Sequence, residues 1–131
     1  MKKQILSFAV AALMTAAFAF AAGKDDNVMW RQSDGIYVVN TTTLANNVRG
    51  FKGATPVEVY IKNDKIVKVV ALKNHETPRY FEQVTSKMLP KFDGKRVSKV
   101  SSVDGVSGAT FSSRAVKLNV EAAVKYYKAH K

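Results

Sequence analysis

The clearest pattern in the chain is the alternation from Pro56 to Lys62. Val57, Val59 and Ile61 fall on one face and Glu58, Tyr60 and Lys62 on the other. A period of two predicts a half-buried strand. Asn63-Asp64 is a tight-turn pair, and Ile66 to Leu72 supplies the partner strand of a hairpin. Upstream, Asp34 to Thr42 reads as a further strand, with Ile36 and Val38 opposite Tyr37 and Val39. Asn46 to Thr55 is polar, carries Gly50 and Gly53, and predicts a turn or a distorted strand. Lys73 to Pro78 is a polar loop in which Thr77 is placed to cap a helix and Pro78 to begin it. Phe81, Val84, Met88 and Leu89 then recur at helical spacing until Pro90 and Gly94. Val97 to Val103, rich in Val and Ser, reads as a short strand, and Asp104 to Ser113 as a loop of small residues. From Ser113 onward, Val116, Val120, Ala123, Val124 and Tyr127 make one apolar stripe. Lys117, Glu121, Lys125 and Lys128 lie opposite, with Glu121 and Lys125 paired at i,i+4. The sum is an α+β fold, a small antiparallel sheet packed with two helices.

The first residues follow a different logic. Lys2 and Lys3 precede a continuous apolar stretch from Ile5 to Phe20, broken only by Ser7 and Thr15. Ala19, Phe20 and Ala21 then form a small-x-small exit. This is the layout of a secretory signal peptide over residues 1–22, with Gly23 to Asn27 as a polar leader. The competing reading is an uncleaved N-terminal membrane anchor. Either way, the domain is expected outside the cytoplasm, periplasmic or otherwise extracytoplasmic.

Composition then narrows the chemistry. The 131 residues include no Cys, which excludes a disulfide scaffold, a zinc ribbon, thiol catalysis and a lipid anchor on Cys. His75 and His130 are the only histidines, too few for a His-rich metal site, and no metal is expected. The formal net charge is +11, and loss of Lys2 and Lys3 leaves +9. Such a balance suits an anionic partner or a solvated basic surface. The cations are spread along the chain without a nucleic-acid motif beside them, so nucleic acid is not expected.

The chemistry-bearing stretch is Asp104-Gly105-Val106-Ser107-Gly108-Ala109-Thr110-Phe111-Ser112-Ser113. It carries five hydroxyl or carboxylate side chains among small residues, at the entrance to an amphipathic helix. A helix N-terminus offers unpaired N–H groups and the positive end of a dipole, and small residues admit a ligand to the backbone. The combination suits a phosphate. The plain alternative is helix capping by Ser and Thr, which composition alone favours. Gly105-Val106-Ser107-Gly108-Ala109 also lies one residue from a nucleophile elbow. A mature chain of about 110 residues cannot build the large parallel sheet that such an elbow needs. No catalytic residue is assigned.

The run Asp104-x-x-Ser107-Gly108-Ala109-Thr110-x-Ser112-Ser113 resembles the flavinylation motif of the FMN-binding domain family. That domain occurs in the extracytoplasmic flavin subunits of the sodium-pumping NADH:quinone reductase and its ferredoxin-linked relative. Gly50-Phe51-Lys52-Gly53-Ala54-Thr55-Pro56 and the Val57 to Ile66 stretch after it look like the family's glycine-proline turn and first long hairpin. His75-Glu76-Thr77-Pro78 looks like its second signature loop, although Arg79 and Tyr80 stand where relatives commonly have a glycine. The resemblance marks out a domain over residues 33–130. It implies FMN joined by a phosphoester to Thr110, attached by an exported magnesium-dependent flavin transferase that uses FAD. It further implies that Ser107, Ser112 and Ser113 donate to the phosphate, with Gly108 and Ala109 leaving room. Asp104 would hold the loop through backbone N–H groups or be read by the transferase. His75, Glu76 and Thr77 would lie near the isoalloxazine ring, and Tyr80 would either stack on it or face the core.

The function so implied is an exported electron-transfer flavoprotein with membrane or extracytoplasmic redox partners. A carrier is favoured over a stand-alone oxidoreductase, since no independent turnover constellation is visible. The alternative is an extracytoplasmic module of the same fold that binds FMN or another anionic ligand reversibly, without redox turnover.

Overall fold

The computed structural model describes residues 28–131, and the signal-peptide and anchor readings lie outside them. Four strands form one antiparallel sheet in chain order: β1 (Met29–Arg31), β2 (Tyr37–Asn40), β3 (Val57–Lys62) and β4 (Lys65–Ala71). The helix α1 (Pro78–Gln83) runs into a π turn at Val84–Met88 and a 3-10 turn at Leu89–Phe92. A second 3-10 segment spans Val97–Ser102, and the long helix α2 (Thr110–His130) closes the chain. This is the α+β architecture that the pattern predicts.

The β3–β4 hairpin forms as read. Val57, Val59 and Ile61 are fully buried, and Asn63 and Asp64 both take positive φ, as a hairpin turn of that kind requires. β4 departs from strict alternation. Ile61 pairs with Ile66 but Tyr60 pairs with Lys68, so Val67 is an extra, bulged residue. The bulge resets the parity of the strand, so Ile66 and Val69, three apart, both face inward.

Two segments differ from the sequence reading. The stretch read as a strand from Val97 to Val103 is instead a 3-10 segment over Val97–Ser102 capped by an extended Val103: Val97, Val100 and Val103 are all buried, at the spacing of three that a 3-10 helix puts on one face. The strand β1 falls between the leader and Asp34, where no strand was expected. Its register runs Met29 to Val39 and Arg31 to Tyr37. The helix after Pro78 widens just ahead of Pro90, which has no N–H for the Ser86 carbonyl and cannot continue an α-turn. Gly94, at φ +80°, turns the chain back toward Ile66.

α2 lies against β2 and β3, burying Val116, Val120, Ala123, Val124 and Tyr127 as the stripe predicts. Each such burial contributes on the order of 1–3 kcal/mol. One polar residue sits in this seam. Asn119 is 1% exposed; its Oδ1 accepts from Thr41 Oγ1 at 2.6 Å and its Nδ2 donates to the Ala115 carbonyl at 2.8 Å. Thr41 Oγ1 in turn accepts the Val57 N–H at 2.9 Å, so the helix is tied to the sheet at one register. Asn119→Ala should cost roughly 2 kcal/mol in a urea melt by leaving this network short of a partner. An unchanged midpoint would show that the network adds nothing.

Candidate functional site

The sheet and α2 bring three distant segments together: the turn at 50–53, the loop at 74–77 and the first turn of α2. The joining group is Glu76, only 6% exposed. Its Oε1 accepts the Phe51 N–H at 2.8 Å and the hydroxyl of Ser112, and its Oε2 accepts the Lys52 N–H at 2.6 Å. Burial raises the Glu76 pKa, but the hydrogen bonds from Ser112, Lys52, Phe51 and Gly53 outweigh it and hold the carboxyl below its ordinary value. The Glu76 amide is itself fixed by Asn74 Oδ1 at 3.0 Å.

Gly50 is required by this arrangement, because a Cβ there would overlap Glu76 Oε1 and crowd the Thr55 methyl at 3.1 Å. Gly50→Ala should therefore destabilise the domain by roughly 2 kcal/mol and weaken ligand binding together. A thermal melt and a ligand titration check both effects, and a variant altered in neither would mean that the carboxylate has room to move.

Two clefts meet at Thr110. One, of about 170 Å³, is lined by Phe51, Thr77, Tyr80, Gly108, Ala109, Thr110, Phe111 and Ser112. Its walls include three aromatic rings left largely exposed: Phe51 at 65%, Phe111 at 62% and Tyr80 at 50%. The Phe51 and Phe111 ring centroids lie 6.2 Å apart. Large exposed apolar side chains gathered in one place mark a binding surface. The other cleft, of about 370 Å³, is lined by Gly105, Val106, Ser107, Thr110, Ser113, Arg114 and Lys117. Thr110 thus stands exposed between an aromatic wall and two cations.

α2 begins at Thr110, three residues earlier than the apolar stripe alone indicates. Its cap position is Ala109, with no side-chain capping bond. The N–H groups of Thr110, Phe111 and Ser112 find no acceptor among the described residues. Plain capping by the loop hydroxyls is therefore not what the motif does here. Free amides beside an exposed hydroxyl and two cations fit a phosphate, and the aromatic cleft next to them fits a flat conjugated ring.

The other motif residues divide by role. Ser107 is exposed in the basic cleft, and Gly108, at φ +85°, turns the chain into the helix as a side-chain-bearing residue rarely does. Ser112 is buried and donates to Glu76; Ser113 is buried and accepts the Val106 N–H at 3.0 Å. These two serines brace the site from behind. No described loop amide bonds the Asp104 carboxylate, which is exposed; the loop is held instead by Ser113 and by the Ala109 N–H on the Val106 carbonyl at 3.1 Å. Thr77 occupies the cap of α1 with Pro78 behind it, yet makes no capping bond, and it lines the aromatic cleft. Tyr80 faces that cleft rather than the core, whereas His75 is exposed and outside its lining. Phe51 and Phe111 are the residues that sequence reading passed over. Their signal was an aromatic side chain next to Gly50 and another next to Thr110, both on polar segments with no apolar period to absorb them.

Fold and site together define a small α+β domain that binds a ligand with an aromatic ring and a phosphate. The match with known proteins gives the particular case: the family model of the FMN-binding domain covers residues 50–125, and the chain belongs to that family. It is a flavoprotein domain whose ligand is FMN. No curated protein matches the chain. No helix among the described residues is long and apolar enough to cross a membrane.

Proposed function

We propose that the protein is an exported electron carrier that holds FMN through a phosphoester on Thr110. The observation that carries this reading is the setting of Thr110: an exposed hydroxyl on the first turn of α2, with uncapped amides around it and an aromatic cleft on one side. FMN, when bound, supplies reversible redox chemistry in one- and two-electron steps. The remaining work belongs to the chain. Thr110 Oγ1 would be the nucleophile when a flavin transferase attaches FMN from FAD, with AMP as the leaving group and the hydroxyl proton released. The Thr110, Phe111 and Ser112 amides would hold the phosphodiester, and Arg114 and Lys117 would offset its charge. Phe51, Tyr80 and Phe111 exclude water from the faces of the ring. A covalent tether suits a protein working outside the cytoplasm, where a dissociating cofactor is lost.

The test is the intact mass of protein exported from a host with a flavin transferase, together with its colour after denaturation. A gain of one FMN less one water on the Thr110 peptide, with colour that survives denaturation, is the expected result. Colour that washes away would favour the reversible module, and a colourless chain of unmodified mass would overturn the carrier.

A further inference from the structure

The far end of α2 carries a second concentration of charge that the flavin site does not use. The β3–β4 turn, the 3-10 segment after Gly94 and the C-terminus converge there. Lys62 and Lys65 pair across the hairpin, Lys65 bridges to Arg96, and Lys131 Nζ lies 2.9 Å from Asp64 Oδ1. A cleft of about 320 Å³ at this pole is lined by Asp64, Arg96, Val97, Ser98, Lys128 and Lys131. Arg31 extends the patch, since its guanidinium and the Lys62 side chain both reach the edge of Gly35. Asp64 is occupied by Lys131 and by the Tyr127 hydroxyl at 2.7 Å. Lys62, Lys65, Arg96 and Lys128 are exposed and have no carboxylate partner among the described residues.

Helix-dipole complementarity accounts for cations in the last turn of α2. It does not account for Lys62, Lys65 or Arg96, which come from the sheet and the loop. Like charges packed this way repel one another, and an anionic partner relieves the repulsion.

We propose that this basic pole docks the protein on an anionic phospholipid surface. The composition favours lipid over an acidic protein. Protein interfaces are poor in Lys and centred on buried aromatic or Arg anchors, whereas the pole is mostly Lys, and its cleft has no aromatic lining. Adsorption to headgroups needs only flexible cations near the plane. The orientation follows from α2, whose 21 residues span roughly 30 Å. With Lys128 and Lys131 at the lipid, Thr110 and the flavin clefts face the aqueous side, open to a partner.

The test is sedimentation of the FMN-loaded protein with vesicles of phosphatidylcholine and phosphatidylglycerol in roughly equal parts, against pure phosphatidylcholine. Binding is expected only to the anionic vesicles and should fall as salt shortens the Debye length. The variant Lys65→Gln/Arg96→Gln/Lys128→Gln should weaken that binding roughly a hundredfold, at about fivefold per charge. Arg49→Gln/Lys73→Gln/Arg79→Gln loses the same net charge at the opposite end of the domain and should weaken it far less. Unchanged melting midpoints in both variants would show that the fold is intact. Absence of binding to anionic vesicles at low salt overturns the proposal and leaves an acidic protein surface as the partner. Equal losses in both variants overturn it too, by reducing the effect to net charge. Neither result depends on how FMN is attached.

Discussion

Thr110→Ala should abolish covalently held flavin, from one per chain to background, while leaving the fold unchanged. The side chain is exposed and makes no bond on which the core depends, and Ala is a good helix former at the first position of α2. The expected stability change is within about 0.5 kcal/mol. A colourless chain with a wild-type melting curve therefore isolates the hydroxyl. The measurement is absorbance at the flavin band before and after denaturing filtration, with the melt run on the same sample. Flavin that still resists denaturation in Thr110→Ala would move the attachment elsewhere. Flavin that is retained natively but lost on denaturation, in both variant and parent, would make the domain a reversible binder.

The second large effect is expected at Glu76. Its carboxylate receives backbone N–H groups of the 51–53 turn and the Ser112 hydroxyl, from segments far apart in sequence. Glu76→Gln keeps the volume, removes the charge and turns a donor toward other donors. A loss of roughly 3 kcal/mol is expected at neutral pH. The pH dependence has a definite sign. The folded pKa of Glu76 lies below the unfolded value, so its contribution is complete above about pH 4.5 and fades as pH falls through the lower folded value. The gap between parent and Gln variant should therefore narrow in acid. Urea melts across that range decide the matter: a gap that stays constant down to the lowest pH would mean that the carboxylate is not the clamp. Because the same bonds seat Phe51 and the first turn of α2, the variant should also bind FMN more weakly.

These two residues differ in how they could be read. The place of Thr110 at the entrance to α2 was legible because its motif is contiguous, although composition alone read the same hydroxyls as helix caps. Glu76 was legible only as a member of a signature loop. Its partners lie 24, 25 and 36 residues away, and no local pattern encodes that meeting. The fold shows the same division. Local period carried the β3–β4 hairpin and the stripe of α2. It failed at Val97 to Val103, where Val and Ser content suggested a strand while the spacing of three already described a tighter helix. It also failed at β1, three residues whose strand character comes from pairing with β2 rather than from their own sequence. Phe51 and Phe111 were missed for a related reason: an aromatic ring outside any apolar period has no assigned face until the chain folds around it.

The bulge at Val67 bears on more than the packing of β4. The strand ends the sheet, and an edge with unpaired amides invites a strand from another chain. Here the start of that edge is taken by the chain itself, through the Ile66 N–H on the Lys95 carbonyl and the Gly94 N–H on the Ile66 carbonyl, both 2.8 Å or shorter. Beyond it come the bulge and Lys68, so no flat, evenly spaced row of amides is offered, even though Val67 and Val70 are exposed. The bulge, Lys68 and the chain's own bonds at Ile66 thus leave only the short run from Lys68 to Ala71 as regular edge, a poorer template for polymerisation than an unbroken strand.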